Sequence, residues 1–509
     1  MTSIKDALSE FDFSRKAEDV MLTFLDTIKN DTVAPHIQGT TVFEAGASSL
    51  VIYYLRKVLK EEALGRNVES SSKYFLFNLM WFIREVALAA KSIEHKHSSL
   101  QTNILFVCNV SRQHESIAPV IRELLKSEKL KIGIVSKAAL PKDAQVLHQN
   151  AYYSDWTTLR DVTYIKRLIK ETRQLMSYWK RKARLQLNGR IWSGFEAWFR
   201  KKAVHCVRSL LLADIMLSQT KPSIIVTTDP ADFEAKSFAL IGRSFGIPSL
   251  CLQYGSVCAA DSEWRFLAHD YVAAFDTQSA EIIEKHGISK DKIFVTGNPR
   301  FDQYKQDDEE GRKKIRQELG LSDQTPLVVF LSIPLAPEGI GSLESYITHT
   351  EYLNVLQAVY EVPKKIQDIK LFVRFHPEED HSVHQSFLNQ NKQILIDQKK
   401  TLREILNAAD VVITLHSTAG LETILLEKPL IFINLTNRED LVDYATLEAA
   451  MAVRKKEKLI PTIRLLLEDQ NIRTELKNKQ VLYCRHAGLV QNVSSSVRLA
   501  KLIKEVYEY

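Results

Sequence analysis

Apolar residues along this chain follow two patterns, and the change from one to the other divides it. Up to residue 98 they recur at helical spacing with no obvious strand, so residues 1–98 are expected to be a helical region. Within it, Tyr74 to Ser92 is apolar on most faces but interrupted by Arg84 and Glu85. Charges in mid-segment are costly in hydrocarbon, so that stretch predicts a buried helix rather than a membrane span. From residue 99 onward, short runs rich in β-branched and aromatic residues alternate with amphipathic stretches: "NILFVCNV", "KIGIVS", "SIIVTTDP", "IPSLCLQYGS", "YVAAF" and "KIFVTGNPRFD". Such alternation predicts parallel strands joined by right-handed helical crossovers.

A charged stretch, "DQYKQDDEEGRKKIRQELGLSDQTP", ends that series, and a second begins at "LVVFLSIP" and runs through "LFVRFHPEED" to "ADVVITLHSTAGLETILLEKPLIFINL". The fold class expected is α/β: two Rossmann-like, doubly wound parallel-sheet domains, 99–304 and 305–480, facing a cleft. Residues 481–509 form a closing segment whose "SSSVRLAKLIKEVYEY" predicts a capped amphipathic helix that packs back on the first domain, with Val497, Leu499, Ile503 and Val506 as buried positions.

At 509 residues the chain exceeds the size at which one core keeps growing, which supports the division. Hydrophobic residues at 45% and charged residues at 26% exclude a disordered or fibrous chain. The net charge of +6, from 68 basic and 62 acidic residues, does not call for nucleic acid as a partner. Five cysteines, at 108, 206, 251, 258 and 484, form no C-x-x-C pair and fit reduced, buried thiols in a cytoplasmic protein. The N-terminus lacks a basic-then-apolar signal pattern, and no run of about 18 apolar residues could span a bilayer.

Charge is concentrated in an insertion at about 155–217, where "TYIKRLIKETRQLMSYWKRKARLQLNGRIWSGFEAWFRKK" interleaves Trp179, Trp192 and Trp198 with many cations. Basic helices with tryptophan suit an anionic bilayer surface, each cation there contributing about 1 kcal/mol. The alternative is a solvated helix pair whose tryptophans pack on the domain.

Candidate chemistry lies in the loops that leave strand C-termini, where open α/β sheets bind ligands. In the second domain these hold His376 and Pro377, then Ser417 and Thr418 opening a helix that runs through Gly420 and Glu422. Backbone N–H groups and the positive helix end there, with His376 donating from the neighbouring loop, suit a phosphate. Ser332, beyond the first strand of that domain, is a further phosphate candidate. The turn Gly297-Asn298-Pro299-Arg300 offers close backbone approach and a guanidinium for phosphate, although Arg300 and Asp302 could simply pair locally. In the first domain, Asp229, His114 and Glu115 follow strand ends and are candidate bases for activating an acceptor hydroxyl. His381 and His384 occupy a polar stretch where surface exposure is expected, and no ligand cluster completes a metal site.

These motifs carry a resemblance. "NVSRQHESIAPVIREL" and "FVTGNPRFD" resemble segments of the non-hydrolysing sugar-nucleotide 2-epimerases, which have GT-B architecture. "RFHPEE" with "HSTAGLETILLEKPLI" is similar to the GT-B transferases of the capsule-polysaccharide and CDP-glycerol glycerophosphotransferase (teichoic-acid) type. The resemblance implies a transferase that moves a group from a nucleotide-activated donor, CMP-, CDP- or UDP-linked, to a surface glycan or lipid-linked acceptor, with no cofactor and no metal. It implies that His376, Pro377, Ser417 and Thr418 face the nucleotide, that His376 stabilises the leaving group, and that Glu422 contacts the ribose. Many relatives have Gln-His-Gly where this chain has Gln253-Tyr254-Gly255, so the expected acceptor-side base is missing. A 2-epimerase is the alternative enzyme; those enzymes carry His-Val-Glu-Ala-Gly at this loop. A nucleotide-sugar-binding or scaffold subunit is the alternative of another class. The implied location is cytoplasmic, peripheral on the inner membrane face.

Overall fold

The computed structural model describes residues 18–51, 102–109, 111–127, 130–136, 149–152, 162–179, 181, 195, 198–255, 262–305, 308–333, 347, 349–377, 379, 381–388, 393–489 and 493–508. The expected helix at Tyr74 to Ser92, Trp192 and Cys258 lie outside them.

Among the described residues, the N-terminal region begins with a helix at 18–29 and is not free of strands. A two-residue antiparallel pair, β1 (His36–Ile37) with β2 (Thr40–Thr41), turns at Gly39, whose φ of 77° few other residues adopt. Helix α1 (Val42–Ser49) follows, capped by Thr41 accepting from the Glu44 N–H at 3.0 Å.

The first sheet has seven parallel strands in the order β5-β4-β3-β6-β7-β8-β9, namely β3 (Ile104–Val107), β4 (Ile132–Ser136), β5 (Gln149–Tyr152), β6 (Ile224–Thr227), β7 (Ser249–Leu252), β8 (Tyr271–Ala274) and β9 (Ile293–Val295). Strand β5 escaped the sequence reading because "QNAY" at a sheet edge lacks an apolar run. The chain reverses its direction of winding between β3 and β6. Helices α2 (Ser111–Leu124), α3 (Val162–Tyr178), α4 (Val204–Thr220) and α5 (Phe233–Ser244) belong to this unit.

The basic insertion separates into two chemistries. Trp179 (5% exposed) and Trp198 (0%) are core residues, not surface anchors. Trp179 stacks between Phe195 and Phe199 at 4.7 and 4.4 Å, and Phe43 of α1 packs on both tryptophans. Gly46 admits Trp198, since a Cβ there would stand 2.2 Å from its ring. Burying rings of this size, at roughly 25 cal/mol per Å², is what joins the N-terminal region to the insertion. Among the described cations, Lys166, Lys170 and Arg173 form an exposed stripe on α3, with Ile169 and Met176 along it.

The second sheet has six parallel strands in the order β12-β11-β10-β13-β14-β15: β10 (Leu327–Leu331), β11 (Lys370–Arg374), β12 (Ile394–Leu395), β13 (Val411–Thr414), β14 (Leu430–Ile433) and β15 (Met451–Val453). Its winding reverses between β10 and β13. Helices α6 (Glu309–Glu318), α7 (Ser382–Leu388), α8 (Thr418–Leu425), α9 (Gln470–His486) and α10 (Ser495–Glu508) accompany it in sequence.

The last of these belongs spatially to the first unit, where Leu499, Ile503 and Val506 join a core with Ile104, Phe106 and Ile121. Val497, expected in the same stripe, is 37% exposed, because the helix turns that position outward. Asp302 anchors the helix start by accepting from the N–H groups of Ser495 and Ser496 at 2.8 and 2.9 Å. Arg498 adds a bond from Nε to the Thr296 carbonyl at 2.8 Å.

Candidate functional site

Both reversal points lie where strand C-termini open into loops, the position at which such sheets take ligands. At the second sheet, β10, β11 and β13 deliver Ser332, His376 and the His416-Ser417-Thr418 turn side by side. The structure brings these residues together, but several of their polar groups already have partners.

The hydroxyl of Ser332 donates to Glu379 and accepts from the His376 backbone N–H at 2.9 Å. It is 4% exposed, so it braces the His-Pro loop instead of reaching for phosphate. Glu379 also accepts from Tyr352 at 2.6 Å and from His384 Nε2 at 2.9 Å, while His384 Nδ1 meets the Tyr360 hydroxyl at 2.8 Å. His384 and Glu379 side chains are fully buried. The expectation of a surface His384 is therefore wrong: a polar stretch hid an internal network that satisfies a buried carboxylate. His381 does lie outside, its ring 4.6 Å from that of Phe375. His376 itself is half-buried and Pro377 exposed.

Ser417 is the N-cap of α8 and accepts from the Ala419 N–H at 3.2 Å, and its carbonyl accepts from the Gly420 N–H at 3.0 Å. Two N–H groups assigned to phosphate are thus engaged in the turn. Gly420 is required for packing, since a Cβ there would come within 2.6 Å of the Tyr444 ring. His416, passed over in the sequence for want of a motif, sits in the same turn. Its Nδ1 accepts from the Leu441 N–H at 3.3 Å, and burial above all pulls its pKa down to about 4, so the ring is neutral and Nε2 carries the proton.

Glu422 is 4% exposed and faces the interdomain turn. It accepts from Arg300 Nη2 at 2.5 Å and from the Tyr304 hydroxyl. Burial raises its pKa, against the pull of Arg300 and Tyr304. Burial likewise opposes the Arg300 charge, and Glu422, Tyr254, Tyr304 and Glu115 outweigh it, so that pKa is raised too. Arg300 therefore pairs across the two units, not with Asp302, which holds α10. Gly297, at φ 75°, makes room for the start of α10: a Cβ would lie 2.3 Å from Ser495 Oγ.

The acceptor-side loop is bound to the same turn. Asn298, wholly buried, donates to the carbonyls of Gln253 and Tyr254 at 3.3 and 3.4 Å. The Gln253 side chain donates to Gly255 O and Ser279 Oγ at 2.8 and 2.9 Å. Tyr254 presents its ring to Arg300, 5.4 Å from centroid to guanidinium, with its hydroxyl 3.4 Å from Nη1. Gln253, Tyr254, Gly255, Asn298, Arg300 and Glu422 form one cluster at the hinge, and the exposed Glu115 at the start of α2 contributes to its field. His114 is instead buried at 3% exposure.

At the other reversal point, Asp229 is half-buried and accepts from the Ala231 N–H at 2.8 Å, which closes a local turn. Asp232, which the sequence reading missed, caps α5 by accepting from the Glu234 N–H at 2.9 Å and receives the Asn109 amide from the end of β3. Among the described residues no group of three or more His, Cys, Asp or Glu could hold a metal, and no helix is long and apolar enough to cross a membrane.

The two facing Rossmann-like sheets with α10 returning to the first define the GT-B architecture. Solved structures agree on that fold: the chain covers 97% of the Staphylococcus aureus MnaA–UDP co-structure with 80% of its own length (13% identity, TM-score 0.53). It covers 98% of the UDP-GlcNAc 2-epimerase from Neisseria meningitidis bound to UDP-GlcNAc with 79% of its own (15% identity, TM-score 0.51). The wall teichoic acid polymerase TagF matches at 11% identity over 86% of this chain and 99% of that one, with a TM-score of 0.48. No curated protein matches the sequence. A family model does: residues 260–504 match the model of the CDP-Glycerol:Poly(glycerophosphate) glycerophosphotransferase family.

Proposed function

We propose that this protein is a transferase that moves a glycerol phosphate or glycosyl group from a CDP-linked, or related CMP- or UDP-linked, donor to a glycan or lipid-linked acceptor. The observation that carries the proposal is the family match, which spans the interdomain turn, the second sheet and α10 together. It therefore covers His376, Ser417, Thr418 and Glu422 in one stretch. His376, held by Ser332 and its buried carboxylate, is the group offered to the donor phosphates, where a positioned donor stabilises the charge of the departing nucleotide. Thr418 and the positive end of α8 complete the cradle.

Epimerisation is the weaker reading. The Neisseria meningitidis epimerase structure, at 15% identity, speaks for architecture alone, and the loop that would face the sugar presents Tyr254 instead of an acid. A tyrosine, with an ordinary pKa near 10, is a poor base at neutral pH.

Lys166, Lys170 and Arg173, with Ile169 and Met176 exposed beside them, support docking on the anionic cytoplasmic face of a membrane, where a lipid-linked acceptor would be reached. Flotation with anionic vesicles should show binding that falls at high salt, and absence of binding at either salt concentration would remove this part.

The decisive assay measures CMP release from CDP-glycerol, with UDP-GlcNAc and CMP-linked sugars as comparison donors. Release with one donor, reduced by two or more orders of magnitude in His376→Ala, is expected. Conversion of UDP-GlcNAc to its 2-epimer, or nucleotide binding without turnover, would replace the transferase by an epimerase or by a binding subunit.

A further inference from the structure

Tyr254 stands where related transferases carry a histidine and is a poor base, yet the first sheet has its own reversal point, between β3 and β6. Two side chains meet there from opposite sides. Asn109, one residue past the Cys108 that follows β3, is 8% exposed and donates its amide to Asp232. Its position is fixed from the backbone, whose N–H donates to Gln113 Oε1 at 3.1 Å. The amide oxygen of Asn109 is buried and, among the described residues, has no hydrogen-bond partner. Buried acceptors are rarely left unsatisfied, and one beside a carboxylate at a strand C-terminal rim suits a ligand hydroxyl or the water that precedes it.

From this geometry we propose that Asp232 is the catalytic base of the transfer and that Asn109 and Asp232 together seat the acceptor hydroxyl. The assignment rests on the transferase reading above. In the step, the acceptor oxygen attacks the phosphorus or anomeric carbon of the donor while its proton passes to an oxygen of the Asp232 carboxylate. The bond from that centre to the nucleotide phosphate oxygen breaks, and the nucleotide leaves with the electron pair. Charge balances, because the carboxylate becomes neutral as the nucleotide gains one negative charge.

The surroundings equip Asp232 for this. Burial first, then the like charges of Glu234 and Asp229, push its carboxyl up to about 8 against the Asn109 and Glu234 hydrogen bonds. A base with affinity for protons near the working pH is the efficient kind. The other charged groups nearby are turned elsewhere. Lys236 of α5 donates to Ser48 at 2.7 Å, and Lys202 and His205 pack on the ring of Phe233. Among the described side chains at the start of α2, Glu115 and His114 are titratable, and the former acts on the hinge cluster.

Asp232 also caps α5, and the test must separate the two roles. Asparagine caps a helix about as well as aspartate, so Asp232→Asn preserves the cap and removes the base. The expected result is a fall in nucleotide release by a factor of about 10² to 10⁴, with wild-type thermal shift on adding the nucleotide product. In the wild type, kcat/KM should rise with pH through a limb near 8, and that limb should vanish in Asp232→Asn. Asn109→Ala should raise the acceptor KM more than it lowers kcat. Full activity in Asp232→Asn, or loss confined to Asp229→Asn, overturns the assignment while leaving the transferase reading intact. A wild type that turns over no donor overturns both.

Discussion

The pair joining Arg300 to Glu422 offers a sharp test of how the hinge is held. Arg300 lies in the interdomain turn at 13% side-chain exposure, Glu422 in α8 at 5%, and their closest atoms are 2.5 Å apart. Removing one partner of a buried pair leaves an uncompensated charge and typically costs about 3–5 kcal/mol. Arg300→Met should therefore destabilise by about 3 kcal/mol, since Tyr304 still donates to the stranded carboxylate. Glu422→Gln should cost a similar amount. In the double variant no charge remains unpaired, so its loss should be nearer 3–4 than 6 kcal/mol, a coupling of about 2–3 kcal/mol. Urea unfolding followed by tryptophan fluorescence and circular dichroism measures all three. The Arg300→Met penalty should also shrink as pH falls, because burial already raises the Glu422 pKa and protonation removes the stranded charge. Additivity within about 0.5 kcal/mol would refute the latch. So would a donor KM increase from Glu422→Gln that is as large in the Arg300→Met background as in the wild type, which would make Glu422 a direct ribose contact.

Other tests follow from single residues. Gly297→Ala must place a Cβ 2.3 Å from Ser495 Oγ at φ 75°, and should cost at least the roughly 1–2 kcal/mol of a left-handed residue and loosen α10, read by proteolysis and thermal melting. His269 is buried against Thr227 and, through burial first and then Lys236 and Arg243, its pKa is lowered to about 3. The unfolded chain takes up that proton near pH 6.5 and the folded chain does not, so stability present above 6.5 is lost as pH falls toward 3. By pH 4 the loss is on the order of 3 kcal/mol, and His269→Gln should flatten this slope. Cys108, Cys206, Cys251 and Cys484 are buried, and burial pushes the thiols of Cys206 and Cys484 up to about 12. Native Cys258→Ser protein should thus show no fast-reacting thiol with an aromatic disulfide reagent, and all four after denaturation.

The sequence by itself determined the alternation of strand and helix, and with it both parallel sheets and the loops at their rims. Apolar runs such as "LVVFL" and "VVIT" fit only buried strands, and the residues bordering them had to reach the C-terminal edge. Local patterning also placed the start of α8 at Ser417 and Thr418 and fixed three of the four buried positions of α10. What it left open were roles that depend on a distant partner. Arg300 and Asp302 stand two apart and invite a local pair, yet one meets Glu422 and the other holds Ser495 and Ser496. His384 in a polar run, two tryptophans in a basic one and Asp232 beyond a proline turn gave no periodic signal. Their burial is set by what packs over them: Tyr352 and Tyr360, Phe43 and Phe195, and Asn109 from the loop after β3. Periodicity reports which face of an element is covered, since each element sees one environment along its length. A polar side chain's function depends on which charge or hydroxyl lies across the gap, and only the tertiary structure decides that.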